Sequence, residues 1–151
     1  MKLFKLLTVS VFVLGFAVLS FASDHTTVIE SKYDYKTTVE KTKQAIKNNK
    51  KATLFAVIDH YENSKKLGGE MGKGTLFIFG NPAAGSKLMK EYPQAGIDLP
   101  LKVYIFEDNG KVYYSYINPS DIASNYKGAD KHKFILGAQE TLKNMATNIL
   151  K

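Results

Sequence analysis

The residues best suited to chemistry in this sequence are the adjacent pair Asp59 and His60. A histidine beside a carboxylate at a strand end can act as a general base or bind a metal ion. Adjacent residues of an extended chain point to opposite faces, so the two side chains need not act together. A structural reading is also open, in which His60 caps the next helix or hydrogen-bonds a loop. His60 and Asp59 are therefore candidate catalytic residues, and Asp98 is a third because it can approach the same end of the sheet. The sequence assigns no catalytic role to any of the three.

A second candidate is the segment Gly80-Asn-Pro-Ala-Ala-Gly-Ser-Lys87, which follows an apolar run at residues 75–79. Two glycines five residues apart are found in phosphate-binding loops, but here the Lys-Ser order is reversed and Pro82 lacks a backbone N–H. The pattern instead predicts a helix capped by Asn81, with Pro82 at its first position. Ser86 and the first free N–H groups of this helix can hold a small carboxylate or sulfur oxyanion.

One rim of the predicted sheet can bring these positions together. If the strands that end before His60 and Asn81 are parallel, their carboxyl ends lie side by side, and Asp98 approaches the same rim. The sequence therefore predicts a ligand-binding site made of four residues, which are His60, Asn81, Ser86 and Asp98.

Metal and cofactor chemistry has little support in this sequence. The histidines, at positions 25, 60 and 132, have no i, i+4 spacing, and Met71 lies in a glycine-rich loop. The absence of cysteine excludes disulfides, thiolate nucleophiles, cysteine-bound zinc, iron–sulfur clusters and covalent c-type haem attachment. We predict no metal site and no cofactor, and non-covalent haem or metal binding stays open.

The charge of the chain is basic but scattered. The formal net charge is +7, and every basic residue is a lysine. A dedicated phosphate or nucleic-acid site usually uses the bidentate fork of arginine, which this sequence lacks. We therefore predict no nucleic-acid partner.

The N-terminal segment has the pattern of a secretory signal peptide. Lys2 and Lys5 precede an apolar run at residues 6–19, and Ser20-Phe-Ala22 forms a small-x-small cleavage site. We predict cleavage after Ala22, a flexible N-terminus at residues 23–27, and a periplasmic or secreted protein without membrane association after cleavage. The alternative is an uncleaved N-terminal anchor, although the apolar run is short for a bilayer.

The remaining chain, residues 28–151, has the composition of one globular domain. Strands are predicted at residues 28–33, 52–58, 75–79, 101–107 and 111–117, with a hairpin turn at Asp108-Asn-Gly110. Helices are predicted at residues 35–49, 61–67, 82–92 and 132–150, with a shorter one at 120–125. The expected fold is a two-layer α+β domain with about five mostly antiparallel strands and helices on one face.

Several of these strands are apolar at consecutive positions, so both of their faces should be buried. One layer of helices covers only one face of the sheet. We therefore expect the other face to meet a second layer or a partner subunit, and a homodimer is the most economical solution.

A series of motifs resembles the domain of unknown function 302 family. These motifs are Tyr35-Lys-Thr-Thr-Val-Glu40, Ile58-Asp-His60, Phe79-Gly-Asn-Pro82 with Gly85, Asp98-Leu-Pro100, and Glu107-Asp-Asn-Gly-Lys111 running to Ser115-Tyr116 and Asn118-Pro119. The resemblance covers about residues 28–126. It implies a compact α+β domain that forms intertwined homodimers and, in exported members, follows a signal peptide. The family offers no established catalytic residue to carry over.

These observations predict an exported, non-catalytic protein that binds an unidentified small molecule or another exported protein and pairs with itself. One alternative is a cofactor-free enzyme in which His60 is the general base and Asp98 or Asp59 orients it. Another is a structural or interaction module whose turn motifs serve only the dimer.

Overall fold

The computed structural model describes residues 25–150. The predicted signal peptide and its cleavage site lie outside the described residues. The first strand begins at Thr26, earlier than expected, because Thr26 and Thr27 pair with Ile117 and Tyr116 of the last strand. These two threonines were predicted to belong to the flexible N-terminus, and the structure places them in the sheet instead.

Five antiparallel strands form one sheet. The strands are β1 (Thr26–Ser31), β2 (Thr53–Asp59), β3 (Gly74–Gly80), β4 (Leu101–Asp108) and β5 (Lys111–Ile117). Their order in the sheet is β1-β5-β4-β3-β2. All five predicted strands are present, and the α+β prediction is confirmed. The turn between β4 and β5 has positive φ values at Asn109 (49°) and Gly110 (75°), as expected for the Asn-Gly hairpin signal.

Side-chain caps set the beginnings of three helices. Asp34 accepts a hydrogen bond from the N–H of Thr37, and Asn81 accepts one from the N–H of Ala84. Asp59 caps the short second helix, so that helix begins at His60. Single 3₁₀ turns occupy Pro93–Ile97 and Ala129–Lys131. The helices are α1 (Tyr35–Asn48), α2 (His60–Lys66), α3 (Pro82–Glu91), α4 (Pro119–Ser124) and α5 (Lys133–Leu150).

The hydrophobic core lies between the sheet and the helices on one of its faces. Phe77, Ile105 and Tyr114 supply the strand side of this core. Helix α1 packs on the strands, and α5 packs against α1 and adds its apolar stripe to the same core. Helix α1 is unusual because its fully buried residues include Thr38 and Thr42. Their hydroxyls donate to the carbonyls of Asp34 and Thr38, so the polar groups are satisfied without water.

The opposite face of the sheet is also apolar, and we call it the open sheet face. Paired residues share a face, so the strand register assigns its members. None of the apolar side chains at these positions is fully buried, whereas the helix side includes fully buried residues such as Phe77, Ile105 and Tyr114. Tyr104, Phe106 and Tyr113 stack in a row across β4 and β5, with ring centroids 5.4 and 5.1 Å apart. The apolar members of the open sheet face are Val28, Ala56, Ile58, Leu76, Ile78, Tyr104, Phe106, Tyr113 and Ile117.

Candidate functional site

The structure separates the residues of the predicted ligand rim. Strands β2 and β3 are antiparallel, and Asp59 lies opposite Thr75 at the beginning of β3. Asn81 follows the end of β3, so a seven-residue strand of roughly 20 Å lies between His60 and Asn81. The predicted rim required parallel strands, and these strands are antiparallel, so His60 and Asn81 do not lie at the same end of the sheet. Asp98 does lie at the Asn81 end, because Leu101 of β4 pairs with Phe79.

The pair Asp59 and His60 does not form a catalytic dyad in the structure. The carboxylate of Asp59 accepts a 2.9 Å hydrogen bond from the N–H of Glu62 as the cap of α2. The His60 ring packs edge-on against Tyr104, with centroids 5.8 Å apart, beside the open sheet face. His60 therefore extends an aromatic row, and Asp59 has a structural partner of its own.

Around this end of the sheet the polar groups satisfy one another. The Tyr35 hydroxyl shares a 2.7 Å hydrogen bond with Thr75, and Lys73 forms a 3.2 Å ion pair with Glu107. Burial raises the pKa of Tyr35, although the bond to Thr75 opposes that shift. The arrangement stabilises the end of β3 and leaves its hydroxyls already paired.

The other end of the sheet contains three cavities that meet at Asn81 and Phe134. Their volumes are about 360, 850 and 70 Å³. The end of β3, the first turns of α3 and α5, and Lys51 before β2 form their walls. Because Asn81 and Phe134 line all three cavities, we treat them as one site and call it the Asn81 cleft.

The inner surface of the Asn81 cleft is apolar. Phe79, Leu101 and Phe134 are buried residues of the core that also line the cavities. Gly137 of α5 leaves open space, because a Cβ added there would have no atom within 4 Å. An apolar floor with a few polar groups is the usual composition of a small-molecule site.

The outer edge of the Asn81 cleft is basic. Five lysines line it, against Glu91 and Glu140. Convergent positive charge around a concavity raises the local concentration of anions. The lysines are Lys51, Lys87, Lys90, Lys131 and Lys133.

His132 holds the beginning of α5 in place at this cleft. Its Nδ1 accepts a 3.1 Å hydrogen bond from the N–H of Phe134, and its Nε2 lies 3.6 Å from a carboxylate oxygen of Glu91. The histidine thus acts as a helix cap and links α5 to α3. From the sequence, His132 is a possible metal ligand and the first residue of the last helix, and its capping role is not predicted. In the described part of the chain, residues 25–150, no group of three or more acidic, histidine or cysteine side chains is arranged to hold a metal ion.

Of the four predicted ligand residues, only Asn81 lines the cleft. Its Oδ1 caps α3, and its side-chain NH₂ group has no hydrogen-bond partner among the described residues. Ser86 donates to the carbonyl of Ala83 within α3. Asp98 accepts a 2.7 Å hydrogen bond from the Tyr126 hydroxyl, which raises the pKa of that tyrosine. Ser86 and Asp98 therefore have structural partners close to the cleft.

The cleft residues that sequence reasoning missed are Phe134 and the five lysines. Phe134 belongs to the apolar stripe of α5 and has no local feature that separates it from core residues. The lysines are ordinary surface residues in the sequence. Only the helix start at Pro82, with Asn81 as its cap, marked this region in advance.

A further groove of about 990 Å³ runs between α1 and α5. It is wide and lined mainly by amide and charged side chains, including Gln44, Asn48 and Asn148. Gln44 already donates to Glu40 on the same helix. This groove is more open than the Asn81 cleft, and none of the described residues that line it is aromatic. The Asn81 cleft, with Phe79 and Phe134 in its floor, is therefore the better candidate.

Known proteins resemble this chain in sequence and in fold. The chain is 29% identical over 120 residues to the fluoride-specific ion channel FluC 1 of Brucella suis biovar 1 (strain 1330), covering 79% of this chain and 44% of that protein. It is also 29% identical over 120 residues to FluC 2 of Brucella melitensis biotype 1 (strain ATCC 23456 / CCUG 17765 / NCTC 10094 / 16M), covering 79% of this chain and 42% of that protein. The chain thus spans less than half the length of these relatives. Within residues 25–150, no helix has the length and apolar character needed to cross a membrane.

A solved structure supports the same fold. The crystal structure of an uncharacterized conserved DUF302 protein from Bacillus stearothermophilus matches with a TM-score of 0.74 at 12% identity, covering 85% of this chain and all of that one. The family profile described as domain of unknown function DUF302 matches residues 27–150. The match extends past residue 126 and includes α5. The chain therefore belongs to the DUF302 family.

Proposed function

We propose that this DUF302 protein is an exported, non-catalytic binding protein that takes up a small ligand in the Asn81 cleft. One observation carries this proposal, which is the convergence of three cavities on Asn81 and Phe134 with an apolar floor and a basic edge. Ligand sites are concave, mostly apolar and equipped with few polar groups, and the cleft has this composition. The side-chain NH₂ of Asn81 has no hydrogen-bond partner within residues 25–150 and is available as a donor to the ligand.

The geometry favours binding over catalysis. General-base chemistry needs a base within reach of the substrate and a partner that orients it. His60 packs against Tyr104 at the opposite end of the sheet, and Asp59 caps α2. His132, the histidine at the cleft, accepts the hydrogen bond of a helix cap. The alternative hypothesis, an enzyme with His60 as general base, predicts turnover that follows the ionisation of this histidine and is lost in His60→Ala.

The named activity of the Brucella relatives is not carried over to this chain. These proteins are described as fluoride-specific ion channels, and the chain spans only 42–44% of their length. Their common segment with this chain is, in our proposal, the ligand-binding domain. Fluoride itself becomes a useful probe, because it is an anion without an apolar part.

Native mass spectrometry of residues 23–151, purified from the exported compartment, tests the binding proposal. We expect a stoichiometric extra mass on the wild-type protein. Gly137→Leu should remove it while leaving the far-UV circular dichroism unchanged, because the leucine side chain enters the open space beside Gly137. Gly137→Ala is the matched control, since it removes the same glycine but fills little of the cavity. An extra mass that persists in Gly137→Leu, or a wild-type protein without any, contradicts binding in this cleft.

We propose further that the protein pairs with itself through the open sheet face. The apolar residues of the open sheet face form a contiguous surface on which none is fully buried, and such a surface favours an interface. The ion pair between Lys111 and Glu30 lies at its margin, as polar groups do around interfaces. Analytical ultracentrifugation should show a dimer that Phe106→Glu converts to a monomer. Leu136→Glu is the control, because Leu136 is an exposed apolar residue of α5. A wild-type monomer contradicts this assembly.

We propose that the protein is exported, because residues 1–22 have the pattern of a secretory signal peptide. N-terminal sequencing of the protein recovered from the periplasm or medium should begin at Ser23. Retention of residues 1–22 on a membrane-bound protein supports the uncleaved anchor instead.

A further inference from the structure

We propose that the ligand of the Asn81 cleft is an amphipathic anion, a small molecule with one carboxylate-like group and a short apolar chain. This inference rests on the proposed binding function and names the chemical class of the ligand. It follows from the different character of the two ends of the cleft.

One end of the cleft is a small apolar cavity of about 70 Å³. Apart from Asn81, all of its lining residues are apolar or glycine, and none carries a titratable side chain. Phe55 and Met89, which line this cavity, are 50% and 37% exposed although they are large hydrophobic residues. A short alkyl or aromatic group placed here buries apolar surface on both molecules.

The other end of the cleft carries positive charge that the described residues do not neutralise. Within residues 25–150, none of the five lysines of the cleft has a carboxylate oxygen within 4 Å. The nearby carboxylate of Glu91 faces His132 instead. Lysine is a flexible point charge that accepts an anion from many directions, so it suits a carboxylate or sulfonate without requiring bidentate geometry.

Asn81 and Phe134 connect the two ends, because both line the basic cavity and the apolar one. A single molecule can therefore place its anionic group among the lysines and its apolar group beside Phe134. A neutral apolar compound would leave the lysines unused, and a bare inorganic anion would leave the apolar end empty. Only an amphipathic anion matches both ends.

Titration calorimetry with four defined probes tests this inference on the mature protein. The probes are hexanoate, hexan-1-ol, acetate and fluoride. We expect hexanoate to bind at least about tenfold more tightly than each of the other three, because it alone uses both ends of the cleft. The double variant Lys87→Gln with Lys133→Gln should weaken hexanoate at least about fivefold and leave hexan-1-ol unchanged. Lys66→Gln with Lys143→Gln makes the same change of net charge away from the cleft and should have no such effect.

Each contrary result points to a different conclusion. If hexan-1-ol equals hexanoate, the anionic part of the inference is overturned. If acetate or fluoride equals hexanoate, the apolar part is overturned. If hexanoate does not bind at millimolar concentration, the inference fails as a whole. The binding function itself survives any of these outcomes if the purified protein carries a stoichiometric mass that Gly137→Leu removes, and it fails if no such mass is present.

Discussion

The hydroxyl of Tyr114 is buried in the core without a hydrogen-bond partner among the described residues. Tyr114 is at the centre of β5, opposite Ile105 and Ile29, with no exposed surface. Burial, with a smaller effect of the neighbouring Tyr116, raises the pKa of this hydroxyl far above its ordinary range. Since a buried polar group without a partner is costly, Tyr114→Phe is expected to stabilise the protein at neutral pH.

The magnitude follows from two opposing contributions. Removing the unpaired hydroxyl recovers its desolvation cost, about 1–3 kcal/mol. The oxygen leaves a void of about 15 Å³, which costs ~0.4 kcal/mol at about 24 cal/mol per Å³. We therefore expect the free energy of unfolding to rise by about 1 kcal/mol.

Urea unfolding followed by circular dichroism measures this change, and Tyr35→Phe is the matched control. The Tyr35 hydroxyl bonds the buried hydroxyl of Thr75 at 2.7 Å, so its removal leaves Thr75 unpaired and should cost about 1–3 kcal/mol. The same chemical change should thus have opposite signs at the two sites. Destabilisation by Tyr114→Phe as large as that by Tyr35→Phe would refute the reasoning.

The dependence of the free energy of unfolding on alkaline pH gives an independent check. The pKa of Tyr114 is higher in the folded state than in the unfolded state. Below about pH 10 the hydroxyl is neutral in both states, so this contribution to stability is fully present. As the pH rises further, the unfolded state ionises first and stability is lost. Stability of the wild-type protein should therefore fall above pH 10. Tyr114→Phe should make that fall less steep, and equal slopes in the two proteins would argue against a buried hydroxyl.

Three further predictions concern the cap of α1, the cap of α3 and the beginning of β3. The hydrogen bond from the N–H of Thr37 lowers the pKa of Asp34, so the contribution of this carboxylate to stability is present above about pH 3.8 and is lost as the pH falls through the lowered value. Asp34→Asn should keep the cap but weaken this loss of stability at acid pH in unfolding experiments. Asn81→Ala should cost about 1 kcal/mol of stability, whereas Asn81→Asp should cost much less, and an equal loss for both would contradict the capping role. A Cβ on Gly74 would collide with the Tyr104 hydroxyl, so Gly74→Ala should cost about 1–3 kcal/mol, and most of that loss should vanish in a Tyr104→Ala background.

Local chemistry explains why much of the fold could be predicted from the sequence. Helix caps such as Asp34 and Asn81 act within three residues, and the Asn-Gly turn at residues 109–110 needs only the positive φ values that these residues tolerate. The two-faced apolar pattern of β3 and β4 likewise follows from consecutive apolar residues. These features gave the five strands, the α+β class and the helix that begins beside the cleft.

The candidate site depended on contacts that no local pattern specifies. A strand apolar on both faces has the same sequence pattern in a parallel or an antiparallel pair, and the glycine-rich connection between β2 and β3 permits either. The antiparallel pairing observed in the structure placed His60 and Asn81 at opposite ends of the sheet. The same non-local packing brought Phe134 and lysines from two distant segments, Lys51 and Lys131 with Lys133, to Asn81. Sequence alone thus determined the elements and their caps, whereas the tertiary structure decided which of them share a cleft, because strand direction and helix packing are set by contacts between residues far apart in the chain.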